Sequence, residues 1–277
     1  MPPPDFLAID DPAAGVQWLR ARFGGHAYDP HRHETYAVGL TEAGIQGFRY
    51  RGADRASTPG RTIVLHPDEV HDGHAVAPEG FTYRMIYIDA SLIGEALGGG
   101  SLPFVPDAVN EDSALAVTLR EAFDGFPGHL GTLATATIVA ATADALSRRA
   151  RRPERPVRFD PVPLRRARDA LDAATDLTVT AEELETITGI DRYALARGFR
   201  ARFGTAPHRY LVGRRLHAVK AEIAAGSSLA DAAAAGGFAD QSHMTRHFKA
   251  RFGVTPGRYA GLLRAARRDM LKPRGAR

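Results

Sequence analysis

The chain of 277 residues contains no cysteine. Disulfides, thiolate metal sites and cysteine nucleophiles are thereby excluded, and a chain without thiols suits a reducing cytoplasm. Long apolar runs are missing as well. None reaches the roughly 20 residues that a membrane-spanning helix needs, so no membrane partner is expected. The opening Met-Pro-Pro-Pro-Asp-Phe has neither a basic stretch nor an apolar core, and no secretory signal is read there. Positive charge is scarce in the first half and negative charge in the second. Residues 1–147 carry 9 Lys and Arg against 19 Asp and Glu, whereas residues from 160 onward carry 21 against 12, and 148–159 carry 6 against 1. The overall charge of +4 thus conceals an acidic half and a basic half. A cationic half meets the requirement for binding phosphate through counterion release. Basic faces are common on soluble proteins, so charge alone does not decide. An acidic partner domain also limits nonspecific adhesion to DNA.

This length suits about two domains, each with its own core. Ser147 to Pro163 (SRRARRPERPVRFDPVP) mixes Arg with Pro, cannot continue a helix, and reads as the linker. The organisation expected is therefore 1–147, a linker at 148–163, and 164–277.

The C-terminal half carries the most specific signal. Phe238 to Tyr259 reads FADQSHMTRHFKARFGVTPGRY. Asp240 is placed to cap a helix that runs without Gly or Pro from Gln241 to Phe252. Met244, Phe248 and Phe252 form its apolar stripe, and Gln241, Ser242, His243, Arg246 and Lys249 fall largely on other faces. Before it, Ala232 to Ala235 and then Gly236-Gly237-Phe238 allow a close helix crossing and a tight turn. Ser228 and Asp231 make a capping-box-like start for the short helix ahead of that turn. The pattern occurs twice. Phe199-Arg-Ala-Arg-Phe-Gly-Thr-Ala-Pro-His-Arg-Tyr210 matches Phe248-Lys-Ala-Arg-Phe-Gly-Val-Thr-Pro-Gly-Arg-Tyr259 at a constant offset of 49. Thr180 and Glu183 give a capping box, and Asp191 to Phe203 should be the earlier counterpart of the helix at Gln241. One amphipathic helix is ordinarily just a solvated one; two such units in tandem are much harder to obtain by chance.

On these residues the stretch from about 165 to 265 resembles the DNA-binding domain of the AraC/XylS family of bacterial transcription regulators. The resemblance implies seven helices: two helix-turn-helix units joined by a long helix at about Pro207 to Ala225. It further implies two reading helices in successive major grooves, about 34 Å apart. Carried over by position, the base-facing residues are Arg192, Tyr193, Ala196 and Arg197 in the first, and Gln241, Ser242, His243 and Arg246 in the second. Arginine matches the guanine acceptors and glutamine suits adenine. Arg200 and Lys249 fall to phosphate, which positions without specifying. The first copy departs from the pattern. Glu185 and Thr188 stand where small apolar residues are usual, Ala206 replaces the cap that Thr255 offers before proline, and Ala196 has only a methyl for thymine.

Residues 1 to about 108 show short apolar runs between turn signals: Tyr36–Leu40, Ile45–Tyr50, Thr62–Leu65 and Phe81–Ile88. Such spacing suggests an antiparallel barrel or sandwich. With His31-Arg32-His33 before the first run, and Pro59-Gly60 to His71 spanning the third, this part resembles the small cupin barrel that AraC-type proteins use to sense a ligand. The resemblance implies an organic effector inside the barrel and a role in dimerisation. Candidate ligand contacts are His33, Tyr36, His71, Tyr83, Arg84 and Tyr87, with Arg84 able to clamp a carboxylate or to form a surface pair. The alternation along 81–88 leaves open which set faces inward. Cupin enzymes hold a metal with three histidines and a glutamate. His31, His33 and His71 are the candidate ligands here, but the glutamate is missing, because Glu34 directly follows His33 and should point the other way. The same histidines could equally be hydrogen-bond partners at the barrel rim. No metal and no cofactor are assigned.

Asp112–Phe126 and Leu130–Arg149 read as helices, with Leu115, Leu119 and Phe123 as one stripe, packed on the barrel or across a two-fold axis. The expectation is an α+β chain: a cupin-like barrel with a helical pair, then an all-α domain. Its function would be that of a cytoplasmic, dimeric, effector-controlled regulator of promoter DNA without catalytic activity, with RNA polymerase as a further candidate partner. The alternative is a metal-dependent cupin enzyme fused to a DNA-binding domain.

Overall fold

A computed structural model of the chain describes residues 4–99, 101–123, 126, 131–150, 159–174 and 179–270. The N-terminal half holds β1 (Phe6–Ala13), β2 (Val16–Phe23), β3 (His26–His31), β4 (Thr35–Gly44), β5 (Gln46–Tyr50), β6 (Ala53–Ser57), β7 (Thr62–Leu65), β8 (His71–Ala75) and β9 (Phe81–Asp89). Then come α1 (Ala90–Ala96), β10 (Val109–Asn110), α2 (Ser113–Ala122) and α3 (Thr132–Arg149). The strands form two sheets, one ordered β1-β2-β9-β4-β7-β10 and the other β3-β8-β5-β6, and every pairing is antiparallel.

The larger sheet is apolar on both faces. Strand side chains alternate, so β9 sends Phe81, Tyr83 and Met85 toward the smaller sheet, where they pack with Phe23, Phe48 and Tyr50. Its other register, Ile86 and Ile88, joins Trp18, Tyr36, Val38 and Val64 beneath α1, α2 and α3. Leu115, Leu119 and Phe123 supply the helical side of that layer, and the Trp18 and Phe123 ring centroids are 5.1 Å apart. Trp18 is 2% exposed, so truncating it to alanine removes about 3–5 kcal/mol. Asp112 caps α2 by accepting from the Leu115 N–H at 2.9 Å. The apolar runs expected as strands are β4, β5, β7 and β9.

The C-terminal half contains seven helices among the described residues: α4 (Pro161–Ala173), α5 (Ala181–Thr188), α6 (Arg192–Phe203), α7 (Pro207–Ala225), α8 (Leu229–Ala235), α9 (Gln241–Phe252) and α10 (Pro256–Met270). The 49-residue repeat is a structural repeat. Asp191 and Asp240 cap α6 and α9, accepting backbone N–H bonds from the first turn, and Gly204 and Gly253 close them at φ 75 and 67. The left-handed conformation there explains a glycine in both copies. The Thr180–Glu183 capping box forms reciprocally at the start of α5. Leu195, Phe199 and Phe203 of α6 pack with Leu164, Leu184 and Leu211. Met244 and Phe248 of α9 pack with Phe238, Tyr259, Leu216 and Val219. Helix α7 serves both cores, Leu211 in the first and Leu216 and Val219 in the second.

Residues 151–158 of the expected linker lie outside the described residues. Its ends are helical: Ser147 to Arg149 finish α3, and Pro161 sits in the first turn of α4 behind the Asp160 cap, where its missing N–H costs nothing. Helix α1 was not legible in the sequence. It has seven residues and no side-chain cap hydrogen bond.

Candidate nucleic-acid interface and interdomain cavity

The polar faces of α6 and α9 point outward. Arg192, Tyr193, Arg197 and Arg200 are exposed and Ala196 is half-buried; Gln241, Ser242, Arg246 and Lys249 are exposed and His243 is half-buried. The two helices are not equally prepared. Glu185 does not enter the helix crossing. It turns outward, accepts the Arg192 backbone N–H at 2.7 Å, and pairs with that guanidinium at 2.9 Å, while Glu182 pairs with it too. Arg192 holds the Glu185 carboxyl below the usual range, and Glu182 is lowered by its own backbone N–H first and by Arg192 second. A guanidinium bound this way has given up its fork to its own protein. Thr188 stays buried by donating its hydroxyl to the Leu184 carbonyl at 2.6 Å. In α9 the Nε2 atoms of His243 and His247 lie 3.0 Å apart, one turn from each other.

The N-terminal half seats on the same turn of both repeats. A Cβ at Gly253 would stand 2.7 Å from the His31 ring and 2.8 Å from the Asp29 carbonyl; one at Gly204 would stand 2.6 Å from Pro67. The backbone is bonded across the junction, Asp29 N–H to Gly253 O at 2.8 Å and Arg32 N–H to Ala250 O at 3.2 Å. Charges follow. Asp29 pairs with Lys249 at 2.9 Å, and Asp68 with Arg200 at 3.5 Å and also with Arg209. Asp68 holds its carboxylate there from a left-handed backbone, φ 66, with its N–H on the His33 carbonyl. Arg251 pairs with Glu34 at 2.7 Å, both largely shielded from water.

Between the halves lies a cavity of about 260 Å³. Leu7, Ile9, Leu19 and Val254 give it apolar walls, and Tyr28, His31, His33, Tyr87, Asp89, Lys220 and Arg251 bring polar groups. Lys220 is 7% exposed. Its ammonium donates to the Gln17 side-chain carbonyl at 2.7 Å and lies over the Phe252 ring at 4.9 Å, and it enters no ion pair among the described residues. Burial pushes its pKa down to about 8. Asp89 is pushed up to about 7, by burial first and then by nearby Glu34. Both shifts mark charges enclosed without a direct partner.

The six ligand candidates divide. His33 and Tyr87 line the cavity; Tyr83 and His71 are buried in the adjoining barrel interior, the Tyr83 hydroxyl sharing a 2.7 Å hydrogen bond with Tyr28. Two candidates lie elsewhere. Tyr36 faces the helical layer and donates its hydroxyl to the Pro103 carbonyl at 2.7 Å. Arg84 also lies on that outer face, paired with Glu42, which holds Arg20 as well at 2.7 Å. Neither reaches the cavity, because both belong to the register opposite the barrel interior. Lys220, Arg251 and Asp89 were missed. A signal for Lys220 existed: it shares the buried face of α7 with Leu216, Val219 and Ile223.

The metal candidates do come together. One ring nitrogen from each of His31, His33 and His71 lies within 4.8 Å of the others, and all three side chains are buried. Burial, then the neighbouring His71, push His31 and His33 well below the ordinary imidazole range, and burial takes His71 down to about 4. All three are neutral at pH 7. No helix among the described residues is long and apolar enough to cross a membrane.

Comparison with known proteins agrees with this geometry. The family model described as the AraC-like ligand binding domain matches residues 14–174, and one described as a helix-turn-helix domain matches 184–261. An HTH-type transcriptional regulator of Bacillus subtilis (strain 168), YbfI, is 25% identical over 241 residues, covering 84% of this chain and 87% of its own. The crystal structure of ToxT from Vibrio cholerae O395 shares the fold, with a TM-score of 0.64 at 14% identity, over 91% of this chain and 99% of that one. A ToxT structure from Vibrio cholerae strain SCE256, described as bound to an unsaturated fatty acid, gives 0.65 at 11% identity over 92% and 98%. The chain belongs to the family defined by the AraC-like ligand-binding domain, here joined to two helix-turn-helix units, and is a sequence-specific DNA-binding transcription regulator controlled by a small-molecule effector.

Proposed function

We propose that the effector is a small organic acid that binds in the interdomain cavity and holds the regulator in a form unable to grip DNA. The observation that carries this reading is Lys220, a buried ammonium whose hydrogen-bond partner is the neutral Gln17 amide. The other cations lining the cavity, Arg251 and Arg214, are already paired with Glu34 and Asp172. A carboxylate beside Lys220 would supply the missing charge, while Leu7, Ile9, Leu19 and Val254 would receive an apolar body. Two ToxT structures are described with ligands of this kind, an unsaturated fatty acid and a naphthyl-substituted butenoic acid.

The cavity has walls from both halves, so a ligand that fills it favours the arrangement in which the halves touch. In that arrangement Lys249 and Arg200 are engaged by Asp29 and Asp68. On this reading Arg200 and Lys249 grip phosphate, and Arg197, Gln241, Ser242 and Arg246, with Tyr193, Ala196 and His243, face bases. Arg192 must first leave Glu185. The sensor unit would be 1–147, the linker 148–163 and the DNA-binding unit 164–277. The exposed side of α3, with Leu133 at 81% exposure and Ala136 and Ala140 a turn apart, would meet a second copy about a two-fold axis. Leu133→Glu should then give a monomer in sedimentation.

The test of the effector is a screen of apolar carboxylic acids by thermal shift, followed by binding to promoter DNA. A ligand should raise Tm and weaken DNA binding together. The alcohol analogue should do neither, and Lys220→Met should respond to neither. Acids that raise Tm equally in Lys220→Met would overturn the assignment.

A further inference from the structure

Helix α9 carries a pair of imidazoles that effector control leaves without a task. His243 and His247 stand four residues apart, so they lie one above the other on a single face. Their Nε2 atoms are 3.0 Å apart and their ring centroids 4.7 Å. Polar side chains on an open helix face are free to splay into water. These two are half-buried and turned toward each other, with the Phe238 ring beside both, 5.6 Å from the His243 ring and 5.9 Å from that of His247. Phe238 belongs to the core under α9, so the residue that seats the helix also walls the pair.

Without an ion, the 3.0 Å contact is a single hydrogen bond, in which one Nε2 donates and the other accepts. Burial first, then His243, His208 and Arg246, lower the His247 pKa below the ordinary imidazole range, so this ring is a neutral donor at pH 7. Asp240 accepts the His243 backbone N–H at 2.7 Å and places a negative charge near the pair.

Histidines at i and i+4 of one helix can share a metal ion, and the spacing of their nitrogens tells which ion fits. A metal–imidazole bond is about 2.0–2.1 Å, so an ion bound to two nitrogens 3.0 Å apart subtends roughly 91–97° between them. A tetrahedral zinc site would need the nitrogens roughly 3.3–3.4 Å apart. The observed spacing matches neighbouring corners of a tetragonal site, the geometry of copper(II) and nickel(II), which imidazole suits.

We propose that His243 and His247 chelate one tetragonal divalent ion, nickel(II) or copper(II), through their Nε2 atoms, and that the bound ion holds His243 away from DNA. The second effect rests on the proposed place of His243 at the bases. With its Nε2 lone pair on the ion, His243 is tied back to His247 and does not extend into a groove. Water fills the remaining coordination positions. The ion is then a second signal, received on the DNA-binding unit itself and separate from the interdomain cavity.

The full chain, stripped with chelator, is titrated with nickel(II) by calorimetry and with copper(II) by electron paramagnetic resonance, without DNA. His31, His33 and His71 are common to every variant, so the site is read as the difference between chains. Wild type should take up one ion more than His247→Gln, with an axial copper spectrum split by two nitrogens. His243→Ala, a second variant on the other ligand, should weaken the same site by about tenfold or more, because the chelate partner is lost. His247→Gln leaves His243 in place, so DNA binding is then compared in these two chains. Nickel(II) should weaken wild-type binding to the preferred promoter fragment by about fivefold or more, the worth of one base contact, and leave His247→Gln unaffected. Equal metal uptake by wild type and both variants overturns the site. Metal uptake without loss of DNA affinity, or an equal loss in His247→Gln, overturns the coupling. A wild-type chain that shows no promoter preference before metal is added sinks the base-facing place of His243 and the coupling with it, while the titrations still decide the site.

Discussion

Asp29 on β3 and Lys249 on α9 meet at 2.9 Å across the junction of the two halves. Arg200, the residue 49 positions earlier in the repeat, is met in the same way by Asp68. The acidic half therefore places one carboxylate on the equivalent cation of α6 and of α9. Lys249 in turn holds the Asp29 carboxyl below the usual range.

Asp29→Asn combined with Asp68→Asn should release these cations. Partly exposed ion pairs contribute about 0.2–1 kcal/mol each, so DNA affinity without effector should rise by roughly 2- to 30-fold. Fluorescence anisotropy on promoter fragments measures this. Unchanged affinity would show that the contacts do not restrain the helices.

Arg246→Ala and Lys249→Ala should fail differently. Arg246 is exposed and unpaired by any ion pair among the described residues, free to reach a base edge. Its loss should cost about 1–3 kcal/mol on the preferred site and relax sequence choice there. Loss of Lys249 should lower the salt dependence by about one counterion on every sequence. Footprints and salt titrations of both variants separate the two roles.

Lys220 should write a signature into the pH dependence of stability. Its folded pKa of about 8 lies below the ordinary lysine value of 10.5. Between those values the unfolded chain binds more protons, so stability should rise with pH from about 8 to 10.5 and be flat for this group below 8. Lys220→Met should remove that rise and be the more stable protein at pH 7. Affinity for an acid effector should fall as pH passes about 8, where the wild-type ammonium is lost. Thermal melts across pH, with and without ligand, measure both.

Asp89 should give the opposite trend in a different window. Its pKa is about 7 in the fold against 3.8 ordinarily, so the folded state binds the extra proton between them. Stability should fall as pH rises from about 3.8 to 7 and then level. Asp89→Asn should flatten this segment of the curve and raise Tm at pH 8.

The helical repeat was legible because its signals are local. Asp191 and Asp240, Gly204 and Gly253, and the stripes of Phe199 and Phe248 each declare a cap, a left-handed turn or a buried face within a few residues. The barrel strands were legible by alternation, but their orientation was not. Both registers of β9 are covered, one by the second sheet and one by helices, so polarity could not say that Tyr83 faces in and Arg84 out. The cavity was illegible for a different reason. Gln17 and Lys220 make its key contact from positions 203 apart, and no local pattern links them. The joined core of β-strands and α7–α10 is likewise a property of the fold, not of any segment.

One β-sandwich touches both α6 and α9 at their closing turns, at Gly204 and at Gly253. It works as a calliper, since a rigid body seated on two points fixes their span and mutual tilt. Successive major grooves demand one particular span, so a slight shift of either jaw is enough to spoil the fit of the pair while each helix alone remains a good match for its own groove. Control by ligand should accordingly be strong on operators with two correctly phased half-elements and nearly absent on fragments that offer one.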